Sequence, residues 1–139
     1  MKKFKILLTA STIAAMGASA AAAEKWDMPM AYPASNFHSE IGAAFAKCVT
    51  DATGGNLEIV THPGGSLFAG NDIKRAVQTG QAPIGERLIS AHANENPLYG
   101  VDSIPFLATS FADSAKLWDI AKGPVSKALD AQNLVYVYA

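Results

Sequence analysis

The 139-residue sequence contains one cysteine, three histidines and only 17% charged residues, with neither sign in excess: 11 Lys and Arg stand against 12 Asp and Glu, a net charge of −1. A lone cysteine excludes an intramolecular disulfide, so the fold must be held by its core. The lack of clustered cations argues against nucleic acid as a partner, because binding it requires a basic surface that displaces counterions. A basic face for anionic lipid is missing as well. There is no Gly-Lys-Ser/Thr loop, no Gly-x-Gly-x-x-Gly fingerprint and no Gly-x-Ser-x-Gly elbow, which leaves phosphate cradling, dinucleotide binding and serine-hydrolase chemistry without a motif. His38, His62, His92 and Cys48 do not fall at zinc-ligand spacings, so no metal site, cofactor or catalytic residue is assigned. What remains is half apolar, with 11 Gly and 7 Pro, a composition that suits a globular α/β domain rather than a disordered or fibrous chain.

The first 23 residues differ from the rest. Lys2, Lys3 and Lys5 precede a weakly apolar stretch, Ile6 to Met16, and the small residues Ala18-Ser19-Ala20 or Ala21-Ala22-Ala23 offer a cleavage site. This is the three-part pattern of a secretory signal peptide over residues 1–23, cut before Glu24. Ile6 to Ala23 is eighteen uncharged residues long, but Ala, Ser, Thr and Gly dominate it, and a spanning helix needs about 20 strongly apolar residues. No membrane insertion is therefore expected after cleavage. The mature chain keeps 8 cations against 12 acids, a net charge of about −4.

Within residues 24–139 strand and helix patterns alternate. Trp26 to Ala31 reads as a strand, Tyr32 to Asn36 as a polar turn, and a helix starts at Phe37 with Ser35 or Asn36 as its N-cap and stops at Gly54-Gly55. Phe37, Ile41, Phe45, Cys48, Val49 and Ala52 recur at helical spacing, which places Cys48 on the buried face as a small hydrophobe. Leu57 to Thr61 is a second strand, His62 to Gly70 a structural glycine-containing loop, and Asn71 or Asp72 opens a helix that ends at Gly80. Ala82 to Gly85 suggests a third short strand. Pro97 and Pro105 favour an extended course for Leu98 to Leu107. Ser110 with Asp113 resembles a capping box before a helix that Gly123-Pro124 interrupts and that resumes to about Ala131. Leu134 to Tyr138 is the start of another strand. A largely parallel sheet follows from this alternation, and the unfinished last strand predicts that the chain is the N-terminal portion of a longer protein.

The residues His62-Pro63-Gly64-Gly65-Ser66-Leu67-Phe68, Ala76-Val77-Gln78-Thr79-Gly80, Asn96-Pro97-Leu98-Tyr99-Gly100 and Ser103-Ile104-Pro105-Phe106-Leu107, in this order and spacing, give the sequence a resemblance to the solute-binding subunits (DctP family) of tripartite ATP-independent periplasmic (TRAP) transporters. The resemblance implies a type II, two-lobed periplasmic-binding-protein clamp of which mainly the first lobe is present. It also implies capture of a small organic acid, commonly a carboxylate, and its delivery in the periplasm to a membrane permease. The arginine that salt-bridges the ligand carboxylate in the family is expected beyond residue 139. Where the family usually has an apolar strand end, this sequence has Glu86-Arg87, so either that pair faces the cleft or the register differs.

In open α/β sheets ligands sit beyond the carboxyl ends of the strands, at helix N-termini. Two such places yield the candidate ligand-binding residues: Tyr32, Ser35 and Asn36 after the first strand, and Glu86 and Arg87 after the third. Helix capping alone would account for Ser35 and Asn36, and a surface ion pair for Glu86 and Arg87. A rival from another class is a secreted hydrolase-like α/β enzyme with Glu86 as its acid or base.

Overall fold

The computed structural model describes residues 23–139; the signal-peptide assignment falls outside them except at Ala23. The chain opens with a β-α-β unit. Strand β1 (Glu24–Pro29) pairs in parallel with β2 (Leu57–His62), in a register that sets Glu24 opposite Leu57 and Pro29 opposite His62, and helix α1 (Phe37–Ala52) makes the crossover. Asn36 caps α1: its Oδ1 accepts the His38 N–H at 3.0 Å. Gly54 and Gly55 turn the chain out of the helix at φ of 60° and 80°, a region only glycine enters without strain. Helix α2 (Gly70–Gln78) follows, then two 3₁₀ segments (Ile89–His92 and Pro97–Ser103) and helix α3 (Phe111–Asp130). Among the described residues no helix is long and apolar enough to cross a membrane.

Two apolar clusters form the core. Met28, Met30, Ile59 and Ile84 pack with Ala46 of α1, and Tyr99 packs with Ala121, Val125, Leu129 and Leu134 around α3. A polar cluster fastens the 3₁₀ segments to α2 and to the end of α3. The Lys74 ammonium, almost wholly buried, donates to Glu95 Oε2 and to Gln132 Oε1, both at 2.6 Å, and Gln132 Nε2 donates to the Tyr99 hydroxyl at 2.9 Å.

Several expectations are corrected. Cys48 is exposed, as are Phe37 and Ile41. The face of α1 that meets the strands is Ser39, Gly42 and Ala46, because these small residues let the helix come close: a Cβ placed on Gly42 would stand 2.8 Å from Met30 Sδ. Phe45 and Val49 of the expected stripe do pack, half-buried, against that core, and close packing puts the small-residue stripe beside them at the centre of the contact. Ala82 to Gly85 forms no strand; Met30 and Glu86 make a single parallel bridge. Pro83 has no N–H to give a ladder, and Gln81 and Ala82 bond back to the Ala76 carbonyl. Pro97 starts a 3₁₀ turn instead of an extended run, since its fixed φ suits a first helical position and Asn96 Oδ1 accepts the Leu98 N–H. Helix α3 runs through Gly123-Pro124 without interruption. Pro124 faces solvent, and Ala121, Val125 and Leu129 anchor both halves of the helix to one cluster. Leu134 to Tyr138 pairs with no strand among the described residues, yet it keeps the alternation of one. Leu134 is buried, Tyr136 packs on Trp118 and Tyr138 on Phe45, while Val135 and Val137 are exposed.

Candidate functional site

The carboxyl ends of the two strands are laced together by backbone bonds. The Met30 N–H donates to the His62 carbonyl, the Gly65 N–H to the Met30 carbonyl and the Gly64 N–H to the Tyr32 carbonyl. Gly64 and Gly65 take φ near 69° to do so, so His62 to Gly70 acts as a structural clasp around the end of β1. The nearly fully buried Ser39 hydroxyl also donates to the Tyr32 carbonyl at 2.8 Å. The Tyr32 backbone is thus fixed from β2's loop and from α1. Its ring stacks on His38, centroids 5.0 Å apart, and Phe37 covers the His38 ring at 3.9 Å.

The bridge to Met30 brings Glu86 to this place. Its N–H donates to the Pro29 carbonyl at 2.9 Å. Gly85 makes the approach possible, since any Cβ there would lie 2.7 Å from Ile73 Cγ2 of α2. Glu86 is 8% exposed, and its Oε2 is buried with no hydrogen-bond partner among the described residues. Burial pushes its pKa above the ordinary value; His38, the Ala31 backbone N–H and Arg87 oppose that shift by favouring the charged form. The Tyr138 hydroxyl belongs to the same surroundings. It too is buried without a partner, and burial together with the Glu86 charge raises its pKa.

Arg87 points elsewhere. Its Nη2 donates to Asn71 Oδ1 at 3.0 Å, and Nη1 would stand 3.3 Å from a Cβ at Gly70, so the guanidinium rests against the first turn of α2. No side chain caps that helix end, whose free N–H groups carry partial positive charge. The Arg87 cation is set beside this end, and the Asp72 carboxylate stands in the same turn. Arg87 Nε is a further buried donor without a partner.

Of the five residues expected from sequence, Tyr32, Glu86 and Arg87 gather around the end of β1. The Asn36 side chain is committed to capping α1, and Ser35 is exposed on the preceding turn. Glu86 and Arg87 are not the surface ion pair that was the alternative for them, because Glu86 is buried and Arg87 bonds to Asn71. Sequence reasoning missed His38 and Tyr138. His38 lies in the first turn of α1, directly after the cap, a position that could have drawn attention to it; nothing local marked Tyr138, which arrives from the far end of the chain.

The sequence profile of the bacterial extracellular solute-binding proteins, family 7 (DctP), matches residues 30–137. The fold matches a marine metagenome TRAP solute-binding protein from an unidentified microbe, specific for pyroglutamate and crystallised with co-purified pyroglutamate. That protein is 66% identical, with a TM-score of 0.81 over 84% of this chain. Two extracytoplasmic solute receptors of Bordetella pertussis that bind pyroglutamic acid also match: DctP6 at 46% identity and TM-score 0.79 over 82% of this chain, and DctP7 at 41% and 0.80 over 84%. The chain spans 38% of the length of each of these three proteins. With the profile covering most of its length and the α/β fold shared with those receptors, the chain belongs to family 7 of the bacterial extracellular solute-binding proteins, the DctP family.

Proposed function

We propose that this chain is the first lobe of a two-lobed periplasmic TRAP receptor that captures a small organic acid, pyroglutamate foremost, and hands it to a membrane permease. Residues 1–23 serve as its cleaved signal peptide and residues 24–139 as the lobe. The observation that carries this reading is the 66% identity, with a matching fold, to a receptor that co-purified with pyroglutamate. The geometry is compatible with it. Pyroglutamate combines an anionic carboxylate with a ring amide, and the end of β1 combines the Arg87 guanidinium with the buried carboxyl of Glu86 and the ring of Tyr32.

In this reading Glu86 is a binding group and not an acid or base catalyst, and the protein is a receptor. The test is thermal unfolding of the whole receptor against a panel of small carboxylic acids. A ligand at a hundred times its Kd adds about 2.7 kcal/mol of stability, so pyroglutamate should raise the melting temperature by several degrees. Absence of a shift with every acid, together with turnover of an ester or amide, would sink the receptor reading in favour of the hydrolase-like one.

A further inference from the structure

Large apolar side chains crowd the surface from the end of the second 3₁₀ segment to the start of α3. Ile104, Phe106, Leu107 and Phe111 are 52%, 92%, 50% and 97% exposed, and no residue between Asp102 and Asp113 is charged. Single apolar residues on a surface are ordinary, whereas four within eight residues and without a charge among them mark a contact surface.

The backbone adds a second sign. The Leu107 N–H donates to the Ile104 carbonyl at 3.2 Å, closing a four-residue turn with Pro105 in second place and Phe106 in third. Phe106 takes a φ of 64°. A turn with proline second and a positive φ third ordinarily carries glycine or asparagine there, because a Cβ is strained in the left-handed region. The ring at this place therefore costs stability, and it gains almost nothing from its own lobe, since it stands in solvent. A ring that needed only cover would lie on the lobe's own core; this turn holds it outward. Strain of this kind is kept where the side chain it displays is used.

We propose that the Ile104–Leu107 turn, with Phe106 at its tip, is a seat for the second lobe of the receptor, occupied when the clamp closes on its ligand. The proposal deepens the two-lobed receptor reading and rests on it. The chain spans 38% of the length of each of the three pyroglutamate receptors, so in a whole receptor of that size the larger part of the polypeptide is available to meet the turn. An uncharged apolar seat suits a contact that forms and parts, because no ion pair has to be desolvated each time the lobes meet. Phe106 then sets the balance between open and closed forms without touching the ligand, and ligand affinity follows the population of the closed form.

The test uses the whole receptor as wild type, Phe106→Gly and Phe106→Asn, the two residues that suit the turn. Each is titrated calorimetrically with L-pyroglutamate, or with the acid that most raises the wild-type melting temperature. Both variants should bind about tenfold or more weakly, because closure no longer buries the ring, while their ligand-free urea midpoints stay at or above that of the wild type. Affinity unchanged within twofold overturns the proposal and leaves organic-acid capture intact; if permease-dependent uptake falls at the same time, the turn is a permease contact instead. A ligand-free midpoint that falls in both variants overturns it too, since the ring is then part of a permanent core in the whole receptor. If no organic acid binds the wild type, the receptor reading fails and this one with it.

Discussion

Replacing Gly85 by alanine tests how the fold delivers Glu86 to the end of β1. The added methyl would stand 2.7 Å from Ile73 Cγ2 and 3.0 Å from Val77 Cγ2, against the 3.4 Å at which ordinary contact begins. Neither neighbour can swing aside easily, because β-branched side chains in a helix hold essentially one χ1 rotamer and Ile73 is 1% exposed. The backbone of residues 84 to 86 must then retreat from α2 by about 0.7 Å. Overpacking of this kind costs about 1–3 kcal/mol, and loss of glycine's freedom in the unfolded chain returns about 0.4–1 kcal/mol. At the middle of these ranges the net loss is about 1.3 kcal/mol. With a urea slope of about 1–3 kcal/mol per molar, the unfolding midpoint should fall by about 1 M, and the bond from the Glu86 N–H to Pro29 should strain with it. Urea denaturation followed by fluorescence of Trp26 and Trp118 reads the first effect, and pyroglutamate titration reads the second as weaker binding. An unchanged midpoint would refute the reasoning, since it would mean that the segment before Glu86 is not pressed against α2.

Two further outcomes are expected. Ser39→Ala removes the hydroxyl that holds the Tyr32 carbonyl but leaves that carbonyl its bond from the Gly64 N–H; the cost should be only about 0.5–1.5 kcal/mol in chemical denaturation. The Lys74 ammonium and His92 hold the Glu95 carboxyl below its ordinary value of 4.5, the Lys74 hydrogen bond contributing most. Its contribution to stability is therefore present above 4.5 and is lost as pH falls through the lowered value, and Glu95→Gln should flatten the acid limb of a plot of unfolding midpoint against pH.

Short-range chemistry made much of the chain legible. The Asn36 cap, the Gly54-Gly55 stop, the Gly64-Gly65 turn and the Ser110–Asp113 pairing act within a few residues, so their positions follow from the sequence around them. The candidate site was legible in outline for the same reason: strand ends that precede helices can be found from order alone, which brought Tyr32, Glu86 and Arg87 into view. Periodicity misled where two stripes competed, as on α1, because an apolar pattern does not reveal how closely a neighbouring helix and sheet can approach.

By itself, then, the sequence determined the order β1-α1-β2-α2, the helix ends and the family, each of which depends on neighbours along the chain. Only the tertiary structure decided that Cys48 faces outward, that Ala82 to Gly85 forms no strand and Glu86 a single bridge, and that Glu86 is buried with an unpaired oxygen while Arg87 turns to α2. Burial and pairing of those groups depend on Met30, Ile73, His38 and Tyr138, residues brought together by packing from four separate parts of the chain. That is why the local pattern could mark the Glu86-Arg87 pair without revealing that Arg87 bonds to Asn71 while the Glu86 carboxyl is buried.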